Sequence, residues 1–275
     1  IEYAPTDVRP LLQKALFSRP PVILTSATLR TGGSFRYFLD SWGLEGAIEH
    51  VAPPTFEYER QAIMVVPRLS AVDGPDYYRE IADVHIDLIT AAGGGVLALF
   101  ASYKALDEVC RLVESTMWNS GLKLLKQGDK GRDELLQEFR EDGNAVLFAT
   151  RSFWEGVDIP GDALRGVIVD RMPFPVPDDP LYAAKAELID SQAAHFGRGS
   201  FMTLSLPMAT LAFLQGFGRL IRRTTDRGVA VLCDTRVWDK QWGKYLLKSL
   251  PKGLSVTNDM SEVVSFFSKE EMEWV

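Results

Sequence analysis

The chain has 275 residues, of which 46% are hydrophobic, so it has enough material for the core of one large domain or two small ones. Thirty-seven acidic residues against thirty basic residues give a net charge of −7, which excludes a protein that binds nucleic acid over its whole surface and restricts any phosphate contact to a local patch. The two cysteines, Cys110 and Cys233, lie far apart, which excludes a disulfide framework and a cysteine-ligated metal or iron–sulfur site within the chain and predicts a cytoplasmic protein.

The first predicted element is a short buried strand. Val22–Leu24 is apolar and continues into Thr25–Leu29. A strand that ends in small hydroxyl residues is typical of a site at the carboxyl edge of a parallel sheet, so Ser26 and Thr28 are candidate site residues. The alternative is that both hydroxyls only satisfy a turn or cap a helix, as hydroxyl side chains usually do.

From there the chain alternates regularly between helices and strands. Helical spacing predicts helices at Ser34–Trp42, Tyr77–Ala92, a segment that follows Tyr103 and ends near Trp118, Asp133–Glu141, a segment that starts near Pro180, and Pro207–Arg223. Short apolar runs predict strands at Gln61–Val66, Val96–Phe100, Leu122–Lys126, Ala145–Ala149, Arg165–Asp170 and Gly228–Asp234. The alternation predicts right-handed βαβ units, and hence an α/β fold with a doubly wound, mainly parallel sheet and helices on both faces. After residue 236 we expect two helices that pack back on the sheet.

The segment Thr150–Asp162, TRSFWEGVDIPGD, interrupts this alternation at the end of a predicted strand. Aromatic, acidic and glycine residues in such a position predict a functional loop. Its acids Glu155, Asp158 and Asp162 do not have the spacing of a calcium loop, so we predict no metal site. The chain also has no serine-hydrolase motif, and its scattered histidines argue against a hydrolase triad. It has no G-x-x-x-x-G-K-[ST] motif and therefore cannot complete a nucleotide site alone.

The helix predicted before the last of these strands has two different faces. At about 100° per residue, Gln215, Arg219 and Arg222 fall on one narrow stripe. The opposite face is apolar and consists of Phe213, Leu214, Phe217, Leu220 and Ile221. Glycine in a helix interior costs roughly 1 kcal/mol of stability relative to alanine. The presence of Gly216 and Gly218 therefore indicates that a ligand approaches the helix backbone closely. Guanidinium groups beside bare backbone suit a phosphate. The alternative is an ordinary surface helix with solvated arginines.

Five segments carry a resemblance to a known family. In chain order they are TSATL at Thr25–Leu29, an F-x-S-Y pattern at Phe100–Tyr103, SFWEGVDIPGDAL at Ser152–Leu164, DRMPFPVPDDPL at Asp170–Leu181, and QGFGRLIRRTTDRG at Gln215–Gly228. Together they resemble motifs III to VI of the second RecA-like motor domain of DinG-type, XPD-like superfamily two helicases. The most specific feature is SFWEGVDIPG followed by QGFGRLIR at this distance. The resemblance runs from about Pro21 to Arg236.

The resemblance implies a role for each motif. Gln215, Arg219 and Arg222 are similar to the arginine-finger element that reaches ATP held by the first motor domain. Gly156 and Asp158 resemble the link between nucleotide state and grip on the strand.

The resemblance also implies contacts to DNA and coupling residues. Ser102, Tyr103, Ser152, Phe153 and Trp154 look like contacts to single-stranded DNA, since hydroxyls bind phosphate and aromatic faces stack on bases. The hydroxyls of TSATL, introduced above, look like coupling residues. The alternative for the tyrosine and the tryptophan is that they are core aromatics.

By this resemblance, residues 1–275 form a second motor domain with a core at about 20–236 and a helical extension at 237–275. ATP and Mg²⁺ would be shared with a first motor domain that carries the Walker A motif and, in some relatives, an iron–sulfur cluster. The resemblance implies 5′→3′ movement on DNA in repair or replication, whereas the isolated chain should not hydrolyse ATP. No apolar run approaches 18 residues, so we predict no membrane span. The alternative function is a non-catalytic nucleic-acid-binding or adaptor module.

Overall fold

A computed structural model describes residues 4–18, 21–71, 74–150, 153, 163–196 and 198–272. The chain divides into two compact units. The helical unit comprises residues 1–53, 173–214 and 240–250, and the sheet unit comprises residues 54–172, 215–239 and 251–275.

The sheet unit contains a seven-stranded parallel sheet with the strand order β3-β4-β2-β5-β6-β1-β7. The strands are β1 Ala62–Val65, β2 Val96–Phe100, β3 Leu124–Lys126, β4 Val146–Thr150, β5 Gly166–Val169, β6 Gly228–Leu232 and β7 Ser255–Thr257. Because all strands are parallel, all their carboxyl ends lie at one edge of the sheet. The predicted doubly wound parallel sheet is confirmed, and the strands predicted from Gln61 onward are all present within a few residues.

The helices alternate with these strands. They are α1 Arg9–Leu12, α2 Arg36–Trp42, α3 Tyr58–Gln61, α4 Tyr77–Ala92, α5 Tyr103–Asn119, α6 Arg132–Asp142, α7 Pro180–Phe196, α8 Leu206–Leu220, α9 Arg236–Asp239, α10 Gly243–Ser249 and α11 Ser261–Met272. A π-helical turn, Phe201–Ser205, leads into α8. The stretch Phe201–Leu220 is long and apolar enough to cross a membrane, but more than half of it is buried in protein, as in a core helix.

Helices cover both faces of the sheet. Alternate strand residues pack with α4, α5 and α11 in one continuous core, in which the rings of Phe100 and Phe148 lie 5.1 Å apart. The residues between them, such as Leu97 and Leu147, are equally buried on the opposite face, where α6 packs against β3 and β4. Strands buried on both faces explain why their sequences are apolar throughout.

Arg165 donates hydrogen bonds to the ends of two helices at the amino edge of the sheet. Arg165 precedes β5 and donates from Nε to Ala92 O (2.8 Å) and from Nη2 to Gly93 O (3.0 Å), at the end of α4. It also donates to Gly143 O (3.4 Å) and Asn144 Oδ1 (2.7 Å), just after α6. A guanidinium at two helix carboxyl termini satisfies their last carbonyl groups and interacts favourably with both helix dipoles.

One histidine is part of the core. His85 of α4 is fully buried, its Nδ1 lies 2.7 Å from Ile81 O, and its ring stacks on Phe100 at 5.4 Å. Burial disfavours the charged imidazolium and lowers the pKa of His85 to about 4. The histidine is therefore neutral at physiological pH and acts as a packing residue.

The strand predicted at Val22–Leu24 is wrong. The segment forms no strand, and Val22 and Ile23 are 38% and 87% exposed. An apolar run becomes a strand only when a neighbouring strand satisfies its backbone, and no described strand pairs with this one. Elsewhere in the helical unit, α2 ends at Trp42, and Gly43 follows it with a left-handed φ of 67°, a conformation that glycine adopts readily at a helix end.

The carboxyl-terminal part contains a strand that the sequence did not predict. β7 pairs in parallel with β1, with Ile63 opposite Ser255, and α11 then packs on the core beside α4. Three partly exposed residues carry too short a pattern for a strand prediction, so only the pairing reveals it.

Candidate nucleotide and nucleic-acid sites

The end of α8 has the two faces that the sequence predicted. The apolar residues of the predicted core face are all buried, whereas Gln215 and Gly218 are exposed and Arg219 is half-buried. Leu220 packs so closely over Gly228, the first residue of β6, that a Cβ at Gly228 would overlap it. This contact fixes the end of the helix against the start of the strand.

Arg222 lies beyond the helix, in a turn of residues 221–226 that we call the arginine turn. The prediction that α8 continues to Arg223 is wrong, since the helix ends at Leu220. The backbone N–H groups of Arg222 and Arg223 both donate to Asp226 Oδ2, each at 2.8 Å. A carboxylate thus replaces the helical hydrogen bonds and holds the backbone at Arg222.

A residue from a distant part of the chain holds the same turn. Gln61 Nε2 donates to Arg223 O and to Asp226 O, each at 2.9 Å. Its Oε1 accepts from the backbone N–H of Glu57 at 2.8 Å. Gln61 and Asp226 are 5% and 3% exposed, and the hydrogen bond between them is buried. Sequence reasoning missed both residues, although an acid four positions after an arginine and just before a strand is a signal for such a turn.

Arg219 and Arg222 differ in their surroundings. Arg219 Nε is buried and has no hydrogen-bond partner among the described residues. Burial lowers the pKa of Arg222, as does Arg140, while the Asp226 carboxylate raises it; the guanidinium stays charged at neutral pH. A Cβ at Gly218 would meet nothing within 4 Å in the described part of the chain, so internal packing does not require glycine there. Arg219 and Arg222 are each half-buried, so their guanidinium groups, beside the open backbone at Gly218, suit an anion such as a phosphate.

A second candidate site lies at the carboxyl ends of β2, β3 and β4. Ser102 caps α5 by accepting from the backbone N–H of Ala105 at 3.2 Å. Tyr103 is 55% exposed, so the alternative that it is a core aromatic is excluded. Gln127 Nε2 donates to Tyr103 Oη at 2.7 Å, and Gln127 Oε1 accepts from the backbone N–H of Thr150 at 2.6 Å. Gln127, which the sequence analysis did not select, therefore links the tyrosine to the start of the 150–162 loop.

The structure contradicts the stacking role predicted for Phe153. Its side chain is 3% exposed, and the guanidinium of Arg132 lies 5.5 Å from its ring centroid. A ring covered in this way presents no face to a base. Ser152, Trp154, Gly156 and Asp158 lie outside the described residues, and their roles stay predictions.

Ser26 and Thr28, in the helical unit, bond to each other. The backbone N–H of Thr28 donates to Ser26 Oγ at 3.2 Å, and the two hydroxyls lie 3.4 Å apart. These contacts are the turn that the sequence analysis gave as the alternative. The coupling role remains a prediction.

The arginine turn and the Tyr103 site lie at opposite edges of the sheet. Val96, Gly166 and Val229 are at the same level in the register, so the arginine turn, which precedes Val229, lies at the amino edge. Tyr103 follows the end of β2 at the carboxyl edge, and the five residues of β2 separate the two levels by about 16 Å. The residues assigned to ATP and the described residues assigned to DNA therefore lie on two separate surfaces of the sheet unit.

Comparison with known proteins identifies the family. The family described as "Helicase C-terminal domain" matches residues 85–253. The chain is 37% identical over 249 residues to "ATP-dependent DNA helicase YoaA" of Haemophilus influenzae, covering 90% of this chain and 38% of the relative. It is 38% identical over 268 residues to "ATP-dependent helicase DinG" of Mycobacterium tuberculosis, covering 94% and 39%. A third relative, 35% identical over 257 residues, is "3'-5' exonuclease DinG" of Bacillus subtilis, of which the chain covers 27%.

The fold agrees with this relationship. A solved structure named "XPD_Helicase" matches with a TM-score of 0.62 at 19% identity, over 91% of this chain and 45% of that one. The chain spans less than two fifths of the YoaA and DinG relatives' length. Since the family match covers more than half of the sequence, the chain belongs to the helicase C-terminal domain family, as a DinG-type, XPD-like member with a RecA-like fold.

Proposed function

We propose that this chain is the second motor domain of an ATP-dependent DNA helicase and completes an ATP site whose P-loop lies in a companion RecA-like domain. The observation that carries the proposal is the surface after the core of α8, where Gln215 is exposed and Arg219 and Arg222 are only half-buried. A Cβ at Gly218 would meet nothing within 4 Å in the described part of the chain, so the backbone there is open as well. Two partly exposed guanidinium groups beside open backbone are available to an anion that arrives from another domain.

Within this proposal, the chain's residues place positive charge beside the transferred phosphate. ATP and Mg²⁺, bound mainly by the companion domain, would supply the phosphoryl transfer chemistry. Arg222 and Arg219 stabilise the negative charge that develops there, and the planar guanidinium favours two parallel hydrogen bonds. Gln215, exposed on the same end of α8, can donate or accept one more hydrogen bond. The open space at Gly218 lets the companion domain approach the helix backbone.

The exposed ring of Tyr103 is the proposed stacking platform for single-stranded DNA, and Ser102 at the start of the same helix is the proposed phosphate contact. Gln127 fixes the tyrosine hydroxyl and the first residue of the 150–162 loop together. We propose that this loop, with Gly156 and Asp158, links nucleotide binding to the grip on DNA. The net charge of −7 restricts that grip to a few phosphates.

We further propose 5′→3′ movement, a role in DNA repair or replication, and a cytoplasmic location, all from the resemblance to DinG-type helicases. Exonuclease activity is named for the Bacillus subtilis relative and is not extended to this chain. The test is ATP hydrolysis and unwinding by the full-length protein that carries this chain. We expect hydrolysis that depends on single-stranded DNA and unwinding of substrates with a 5′ overhang. Binding of DNA without any hydrolysis would favour the adaptor alternative and overturn the proposal.

A further inference from the structure

The arginine turn contains a buried carboxylate, Asp226. Asp226 is 3% exposed, and its Oδ2 accepts two backbone N–H groups, from Arg222 and Arg223. Both bonds are 2.8 Å long, as expected for bonds to a charged acceptor. The carboxylate therefore binds the main chain at the arginine itself.

A second side chain completes the support. Gln61 donates to the carbonyl oxygens of Arg223 and Asp226, and it is fixed in turn by the backbone of Glu57. The turn is thus held through its N–H groups by an acid and through its carbonyl groups by an amide. The helix cannot supply this support, because α8 has already ended at Leu220.

We propose that Asp226 is a positioning residue that preorganises Arg222 for the terminal phosphate of ATP. This inference rests on the proposed function. A guanidinium that must reach across to a nucleotide on another domain acts well only when its backbone is fixed beforehand, since misplacement by about 1 Å can cost on the order of a hundredfold in rate. Asp226 provides this order without touching the nucleotide.

The test is a double-mutant cycle on DNA-stimulated ATP hydrolysis by the full-length protein. We expect Asp226→Ala to lower kcat by about a hundredfold, with KM for ATP and Kd for single-stranded DNA nearly unchanged. Asp226→Asn keeps an oxygen acceptor but loses the charge, and we expect it to recover part of the loss, to about tenfold below wild type. In an Arg222→Ala background neither change should lower kcat further, because the group being positioned is gone.

A stability control separates positioning from general destabilisation. Val113→Ala removes buried methyl groups from α5, far from the arginine turn along the chain, and should lower the melting temperature without lowering kcat. If Asp226→Ala does not fold, the test is the kcat of Asp226→Asn measured with and without Arg222→Ala. The inference is overturned by a kcat within twofold of wild type for Asp226→Asn and any folded Asp226→Ala, or by equal losses with and without Arg222. A wild-type protein that hydrolyses no ATP overturns the proposed function itself, and the inference falls with it.

Discussion

Replacing Tyr103 tests the proposed DNA surface. Tyr103 is 55% exposed, so protein already covers nearly half of the residue and the remainder is open to solvent and to a base. Stacking of a base on an aromatic ring is worth about 1–3 kcal/mol, and we expect the lower part of this range, about 1–1.5 kcal/mol. Tyr103→Ala should therefore weaken binding of single-stranded DNA about five- to tenfold. Tyr103→Phe keeps the ring and loses only the hydrogen bond to Gln127, so its effect should be smaller.

The same helix offers a matched control. Trp118 is 85% exposed and lies near the other end of α5, away from the carboxyl edge of the sheet. Trp118→Ala removes an aromatic that is even more exposed than Tyr103 but should leave DNA affinity unchanged. The assay is fluorescence anisotropy with a labelled oligonucleotide at several salt concentrations, where a shallow slope is expected for a few phosphates. Equal losses in both variants, or none in Tyr103→Ala, would refute the stacking site.

Three further predictions concern the fold and the limits of the isolated chain. Arg165→Met removes the donors that serve the ends of α4 and α6, and should lower the free energy of unfolding by about 2–4 kcal/mol in urea denaturation; a loss of only a few tenths would contradict the role of this arginine. The folded-state pKa of His85, about 4, lies below its ordinary 6.5, so the unfolded state binds more protons between these values. Stability should therefore fall as pH drops through this window, by up to about 1.4 kcal/mol per pH unit, and His85→Met should flatten the curve; parallel curves would count against it. The isolated chain should show no DNA-stimulated ATP hydrolysis, and turnover that survives repurification would sink that expectation.

The central strands were predicted well because strands that are buried on both faces are apolar at every position. Val96–Phe100 is apolar at every position, follows a glycine-rich terminator and is too short for a helix. The same reasoning failed for segments whose structure depends on pairing with another strand rather than on composition. Val22–Leu24 is apolar but forms no strand, whereas Ser255–Thr257 is partly polar and becomes a strand through its pairing with β1.

The candidate sites were predicted less completely for a similar reason. Helical periodicity placed Gln215 and Arg219 on the correct side of α8, but it cannot show where a helix ends, so Arg222 was assigned to the helix. The residues that orient the turn include Gln61, which is 162 positions from Arg223 in the chain. The contact between Gln61 and the arginine turn exists only because β1 pairs with β6, which places the residues before the two strands side by side. Burial likewise decided that Phe153 packs inside while Tyr103 faces solvent.

In the proposed mechanism, Arg219 in the last turn of α8 and Arg222 just beyond it act on the phosphate of ATP. Arg219→Lys and Arg222→Lys keep the charge but lose the planar fork of donors. The most direct measurement is DNA-stimulated ATP hydrolysis by both variants of the full-length protein beside wild type, with melting temperature and DNA affinity as controls. Arginine fingers contribute about 10³–10⁵ in rate, so we predict that kcat falls at least about a hundredfold in each variant while folding and DNA binding are retained. Near-normal kcat in both variants would contradict an action of these arginines on the phosphate.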